Sequence, residues 1–284
     1  MNSIENRNVI ISGGAGEIGK TIAAGFLGLG AKVLIIGRNA SKLKQATKEL
    51  SQVAGSIESI KLDVTNIKNY KDLKKYIKTI FYNQVDVLIN AAGVYGPIGP
   101  LESNDTKEWL DTFAVNVFGT VFMTQMVIPL MKKRESGCII NFSGGGDGPF
   151  PNFTAYSSSK GAIVRFTESI ASELKEFNIS VNAIAPGAVN SQFLEKVLIA
   201  GPKKSGKNFY EKSLKQKKEG GVSPRRATDL VLFLASKKGR KLSGKVLSAV
   251  YDNWSEFPSH IKTISSTDIY NVRRIKPKDR GYDW

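Results

Sequence analysis

Residues 9–20 read VIISGGAGEIGK. The run 9–12 is short, β-branched and apolar throughout, the pattern of a strand buried on both faces. Gly13, Gly16 and Gly19 follow at once, and an amphipathic segment then runs to the GLGA at 28–31. Glycines let a backbone approach a pyrophosphate closely, and a helix start offers free N–H groups at the positive end of its dipole. A glycine turn needed only for tight packing has the same spacing, so the neighbouring elements must decide. A Walker loop is excluded, because the Lys-Ser/Thr ending is absent.

Working outward, apolar runs alternate with longer amphipathic segments. Strands are expected at 33–36, 60–62, 85–90, 138–142, 179–185 and 245–250. Helices are expected at 40–53, 67–81, 106–131, 155–177 and 227–236. Strands without clear alternation belong to a parallel sheet covered on both faces. A barrel needs eight βα units, and the chain offers about seven strands. The reading is therefore α/β: a single-domain, doubly wound Rossmann fold of about seven parallel strands with helices on both faces. The catalytic domain is expected over 1–253, with an irregular basic substrate loop at 190–222. Residues 254–284, polar and carrying RRIKPKDR, read as an appended arm.

Composition narrows the chemistry. A hydrophobic content of 41% with 23% charged residues is that of a soluble globular chain. The one cysteine, Cys138, excludes an intrachain disulfide and lies in an apolar run, which reads as a buried structural thiol in a reducing compartment. One histidine, His260, leaves no basis for a histidine triad or a histidine zinc site. The N-terminus lacks the order of a signal peptide, and no uninterrupted apolar run reaches membrane-spanning length, so a cytoplasmic protein with no membrane partner is expected. The net charge of +16 is spread over most of the expected helices, and no nucleic-acid motif accompanies it.

The end of the second strand is where a carboxylate would grip the ribose of NAD. Gly37-Arg38 stands there instead, and an arginine suits a 2′-phosphate, so NADP is preferred over NAD. Glu17 beside the phosphates opposes binding of either.

These pieces resemble the short-chain dehydrogenase/reductase family over roughly residues 8–250. The resemblance rests on SGGAGEIG, Asp63-Val64, NAAG at 90–93, Asn116, Ser143, Tyr156-x-x-x-Lys160 and PGAV at 186–189, all in the family's order, with Ser143 thirteen residues before Tyr156. It implies that Gly13, Gly16, Ile18 and Gly19 hold the pyrophosphate and that Arg38 lies at the adenosine ribose. Asp63 and Val64 would sit near the adenine, and Asn90, Ala91 and Gly93 beside its ribose. Pro186, Gly187, Val189 and Ser191 would flank the nicotinamide, with Tyr156 and Lys160 also touching the cofactor. Asn116, Ser143, Tyr156 and Lys160 would form the catalytic group of an NAD(P)-dependent oxidoreductase. The glycine spacing is that of the family's extended, sugar-nucleotide-modifying branch, since Glu17 stands where the short branch has glycine. NAAG, PGAV and the chain length side with the short branch of carbonyl reductases and alcohol dehydrogenases. The alternatives are a sugar-nucleotide enzyme, for which a substrate domain is missing, and a non-catalytic dinucleotide-binding regulator.

The Tyr–Lys spacing has its own logic. Hydride transfer to a carbonyl develops an alkoxide that must gain a proton. Bringing a phenol toward neutrality takes roughly 4 kcal/mol, about what one ammonium some 4 Å away supplies at an effective dielectric near 20. Ser143 can donate to the substrate oxygen, and Asn116 can position a relay water. Tyr95, Phe150, Phe153 and the segment 193–198 can wall an apolar pocket. The partner is a small carbonyl or alcohol, with an anionic one suggested by residues 195–226, where ten basic residues face three acids for a net of +7. A homodimer or homotetramer is expected, because Ile163, Phe166, Ile170 and Leu174 form a stripe on the helix at 155–177.

Overall fold

A computed structural model describes residues 4–144 and 148–284. Seven strands form one sheet: β1 (Asn8–Ser12), β2 (Lys32–Gly37), β3 (Ser56–Lys61), β4 (Val87–Asn90), β5 (Gly137–Phe142), β6 (Ile179–Ala185) and β7 (Val246–Ser248). Their order is β3-β2-β1-β4-β5-β6-β7, and every pairing is parallel. The helices are α1 (Glu17–Leu27), α2 (Ala40–Leu50), α3 (Tyr70–Phe81), α4 (Thr106–Phe113), α5 (Gly119–Lys132), α6 (Thr154–Glu173), α7 (Gln192–Ser205), α8 (Lys207–Glu219), α9 (Pro224–Ala235) and α10 (Phe257–Ser266).

The apolar runs are buried on both faces, as parallel strands require. Val9, Ile11, Val33 and Ile35 pack against α1, α2 and α9. Ile10, Leu34, Ile36 and Leu88, one register step away, pack against α3, α5 and α6. β3 starts earlier than its apolar residues suggest, because it is an edge strand whose Ser56 and Glu58 face solvent.

Four expectations are corrected. The helix at 106–131 is a rod interrupted by a π turn at Ala114–Phe118, between α4 and α5. By length and composition Thr106–Lys132 could cross a membrane, but the polar residues along it hid this in sequence. In the fold, Met123, Val127 and Met131 fasten the rod to the sheet. The basic stretch is not irregular. Ser191 Oγ caps α7, Leu194 and Val197 are buried, and the breakers in GPKKSGK mark only a kink at Gly201 and the joint at Gly206 before α8.

The tail from 254 is no loose arm. Phe257 and Ile264 of α10 are buried in the α1–α9 core, and the Val246 N–H of β7 donates to Tyr270 O at 2.8 Å. The stripe on α6 faces inward: Ile163, Ile170 and Leu174 are buried, with Phe166 packed on the same core. It therefore supplies no argument for a partner subunit. Cys138 is fully buried and His260 is exposed, as their surroundings in sequence suggested.

Candidate active site

The chain leaves β1 toward β2 on one side and finds β4 on the other, which opens a crevice at the carboxyl ends of these strands. A cleft of about 510 Å³ lies there. Gly13, Gly16, Ile18, Gly19, Arg38, Val64, Ala91, Gly93 and Ser191 all line it. The floor is set by backbone contact. Gly13 has φ +71°, and a Cβ on it would stand 2.8 Å from Ala92 N; a Cβ on Gly19 would run into Gly13 O. Only a residue without a side chain keeps the α1 N-terminus this close to β4.

Seven of the expected cofactor residues do not line this cleft: Tyr156 and Lys160 of the catalytic group, and Asp63, Asn90, Pro186, Gly187 and Val189. Asp63 folds its own turn, its Oδ1 accepting from Thr65 N at 2.9 Å and Thr65 Oγ1 at 2.8 Å. Asn90 points into the sheet, its Nδ2 donating to Thr124 Oγ1 at 3.2 Å and Asn141 Oδ1 at 2.9 Å. Pro186, Gly187 and Val189 form the turn after β6, with Pro186 Cδ 3.9 Å from where a Cβ on Gly144 would be. Sequence reasoning also missed cleft residues: Lys20, Lys42 and Gln45. Lys42 was within reach of it, since it lies one turn beyond Arg38 at the start of α2.

The catalytic candidates converge. Ser143 ends β5, buried, with its N–H donating to Ile184 O at 2.9 Å. The Tyr156 hydroxyl reaches the next residue, 3.3 Å from a Cβ built on Gly144. Lys160 is buried, its Nζ donating to Phe142 O at 2.8 Å and standing 5.7 Å from the Tyr156 ring centroid. Asn116 sits in the π turn with its amide fully engaged. Oδ1 accepts from Val94 N at 2.8 Å, while Nδ2 donates to Val94 O and Ser159 Oγ, both at 2.9 Å. Ser159 Oγ in turn donates to Tyr156 O at 2.7 Å. Both Asn116 donors are thus taken by protein, so its amide braces the Tyr156 turn instead of holding a water through an N–H. Such π turns recur at functional sites.

The short chain dehydrogenase family model matches residues 7–199. The chain belongs to the short chain dehydrogenase family. A short chain dehydrogenase of Pseudocercospora fijiensis is 32% identical over 192 residues, 66% of this chain and 62% of that protein, so the chain spans less than two thirds of that relative. A cyclopentanol dehydrogenase of Comamonas testosteroni is 30% identical over 250 residues, covering 87% of this chain and 96% of the relative. Among solved structures, an actinorhodin polyketide ketoreductase with NADPH superposes with a TM-score of 0.78 at 24% identity, covering 87% of this chain and 97% of that one, a likeness of fold.

A short chain dehydrogenase is an oxidoreductase, and its cofactor class is a nicotinamide dinucleotide. The cleft fits one: its floor is a cradle that a Cβ would fill, and the α1 N-terminus faces it. Arg38, Lys42 and Lys20 stand along the α2 side, with Lys20 paired to Glu49 at 2.7 Å. A bound nicotinamide dinucleotide would supply or accept the hydride.

The electrostatics of the pair differ from expectation. Tyr156 is not brought toward neutrality. Desolvation, and then the neighbouring Tyr95, push its pKa above the ordinary phenol range. The Lys160 ammonium stands 5.7 Å from the Tyr156 ring centroid and donates to Phe142 O. Burial also lowers Lys160 itself from 10.5 to about 8. A protonated phenol is a proton donor, the form that reduction of a carbonyl requires.

The roof of the site is aromatic. Tyr95 stands edge-on to Tyr156 at 4.7 Å and to Phe193 at 4.5 Å between centroids. Phe150 and Phe153 stack at 4.3 Å, and Phe209 of α8 closes on both at 5.0 and 5.2 Å. The expected wall of Tyr95, Phe150, Phe153 and Phe193 is therefore assembled, with Phe209 as the member sequence missed.

Proposed function

We propose that this chain reduces a carbonyl to a secondary alcohol with NADPH, with NADH the weaker cofactor, and that Tyr156 gives its hydroxyl proton to the substrate oxygen. The hydride adds to the carbonyl carbon, the C=O π pair moves to oxygen, and that oxygen takes the proton from Tyr156 Oη. Ser143 donates a hydrogen bond to the same oxygen. Lys160 holds the phenolate that remains, and Asn116 positions the turn that carries Tyr156.

The observation that supports this best is Lys160. It is 5% exposed and has no carboxylate partner among the described residues. A Cβ on Gly93 would stand 3.7 Å from its Nζ. Burying an unpaired amine costs stability, so its place beside Tyr156 argues for use. The preference for NADPH is supported by Arg38 just past β2 and Lys42 in the first turn of α2, with no carboxylate between them in the chain.

For the substrate, the aromatic roof favours an apolar or alicyclic carbonyl, in keeping with a relative named for cyclopentanol. All ten basic residues of 195–226 are exposed. An anionic group on the substrate would therefore meet them at the mouth, not beside Tyr156.

The deciding experiment replaces Tyr156 by Phe. Turnover with NADPH and a panel of cyclic ketones should fall by about 10²- to 10⁴-fold, the range of a lost general acid. Dinucleotide affinity by fluorescence titration should stay within about threefold. Retained turnover would sink the mechanism.

A further inference from the structure

At the opposite end of the sheet from the dinucleotide cleft, a cavity of about 970 Å³ opens beneath the starts of β6 and β7. It lies between the C-terminal half of α6, the turn after α9 and the C-terminal tail, and none of its lining residues lines the dinucleotide cleft. Its walls carry Arg7, Lys175, Lys237, Arg240, Lys241 and Lys245 against one carboxylate, Glu168. That carboxylate is already engaged, with Arg165 at 2.6 Å and with the Val272 N–H at 3.1 Å.

Among the described residues, Arg7, Arg240 and Lys245 bond to neutral oxygens. Arg7 Nη1 donates to Ala235 O at 3.1 Å and Arg240 Nη2 to Asn178 O at 3.0 Å. Lys245 Nζ donates to Thr267 O and Asn271 Oδ1, both at 2.7 Å. The Arg240 Nε is buried with no hydrogen-bond partner among the described residues. Burial and then the proximity of Arg240 lower the basicity of Arg7, and Asp86 offsets only part of this. Capping of helix ends does not account for this set. A helix C-terminus carries about half a negative charge, so the ends of α6 and α9 together offset about one cation.

We propose that this cavity binds a small molecule bearing two or more phosphate groups. Its volume exceeds a single phosphate and suits a ligand the size of a nucleotide or sugar diphosphate. Arginines and lysines would meet the phosphates, with the buried Arg240 Nε among the donors. Ser180, Ser243, Ser265 and Thr267, also in the lining, offer hydrogen bonds to the uncharged part.

The test is hydrogen exchange read by mass spectrometry on the full chain, with inorganic tripolyphosphate as the probe, followed by calorimetric titration of variants. The expected result is protection of residues 237–245 and 265–271. Lys241→Gln, at an exposed position, should weaken binding about twofold to fivefold. Arg240→Gln should weaken it about tenfold or more. If Arg240→Gln does not fold, Lys241→Gln decides alone. Protection confined to residues 13–20 and 38–42, no protection anywhere, or unchanged affinity in the folded variants would overturn the proposal.

Discussion

The floor and the roof of the cleft are built by opposite means. The floor is backbone: Gly13 lies against Ala91 and Ala92, and Gly19 against Gly13, so closely that neither position admits a side chain. The roof is side chain. α7 and α8 close over the site through Phe193 and Phe209, which meet Tyr95, Phe150 and Phe153, while their lysines all face solvent. A floor defined by absent side chains leaves a spacing that can be read along one dimension. A roof defined by which way each side chain turns leaves no such trace, because the same segment carries aromatics on one side and cations on the other.

Lys160 lies where the two meet, and the largest stability effect is expected there. Its pKa falls from 10.5 to about 8 on folding, through burial. Below about pH 8 it is charged in both states, and the fold carries the full penalty, on the order of 3 kcal/mol. Between about 8 and 10.5 the unfolded chain binds more protons, so stability rises with pH until the penalty is gone. Lys160→Met should therefore be inactive yet more stable near pH 7, by up to about 3 kcal/mol less what the Phe142 carbonyl loses. The difference should vanish toward pH 10.5. Denaturant titrations at several pH values measure it. A gap that does not change with pH would mean that the buried amine is not what the floor bears.

How far the sequence is legible follows the same division. The strand–glycine–helix opening and the parallel order could be read because the pattern of apolar runs and glycines fixes them. Asp63 and Asn90 occupy their motif positions, and their side chains also bond within the protein, one folding a turn and the other tying β4 to β5 and α5. A motif gives place, not the direction of a side chain. The segment 190–222 was misread because its Gly and Pro residues look like breakers, while its stability comes from the Ser191 cap and the buried Leu194 and Val197. The Tyr156 shift could not be read either. Spacing puts the ammonium on the correct face but says nothing of the desolvation that outweighs it.

A second prediction tests the α2 side of the floor. Arg38 is exposed and Lys42 lies one turn on, so each should contribute a modest, salt-screened attraction to a 2′-phosphate. Arg38→Ala should lower the NADPH-to-NADH ratio of kcat/KM by about fivefold to tenfold, with NADH efficiency nearly unchanged. Steady-state kinetics with both cofactors decide this. An unchanged ratio would leave the floor without any part in choosing the cofactor.

The smallest effect belongs to the outer face of the roof. Lys203, Lys204 and Lys207 are exposed near the joint between α7 and α8, so they cannot touch the reacting carbonyl. Their influence must be long-range, and it is screened beyond about 8 Å at physiological salt. Such charges change how often an anionic substrate arrives, not what happens once it is bound. Reversing all three to Glu should lower kcat/KM for a carboxylate-bearing ketone by about twofold to threefold at low salt and leave kcat alone, and added salt should bring the wild type down to the same level. Phe209→Ala, on the inner face, should raise KM for an uncharged cyclic ketone with no salt dependence. If charge reversal leaves a charged and a neutral ketone equally affected, the outer face is only solvated surface, and the roof acts through its aromatic side alone.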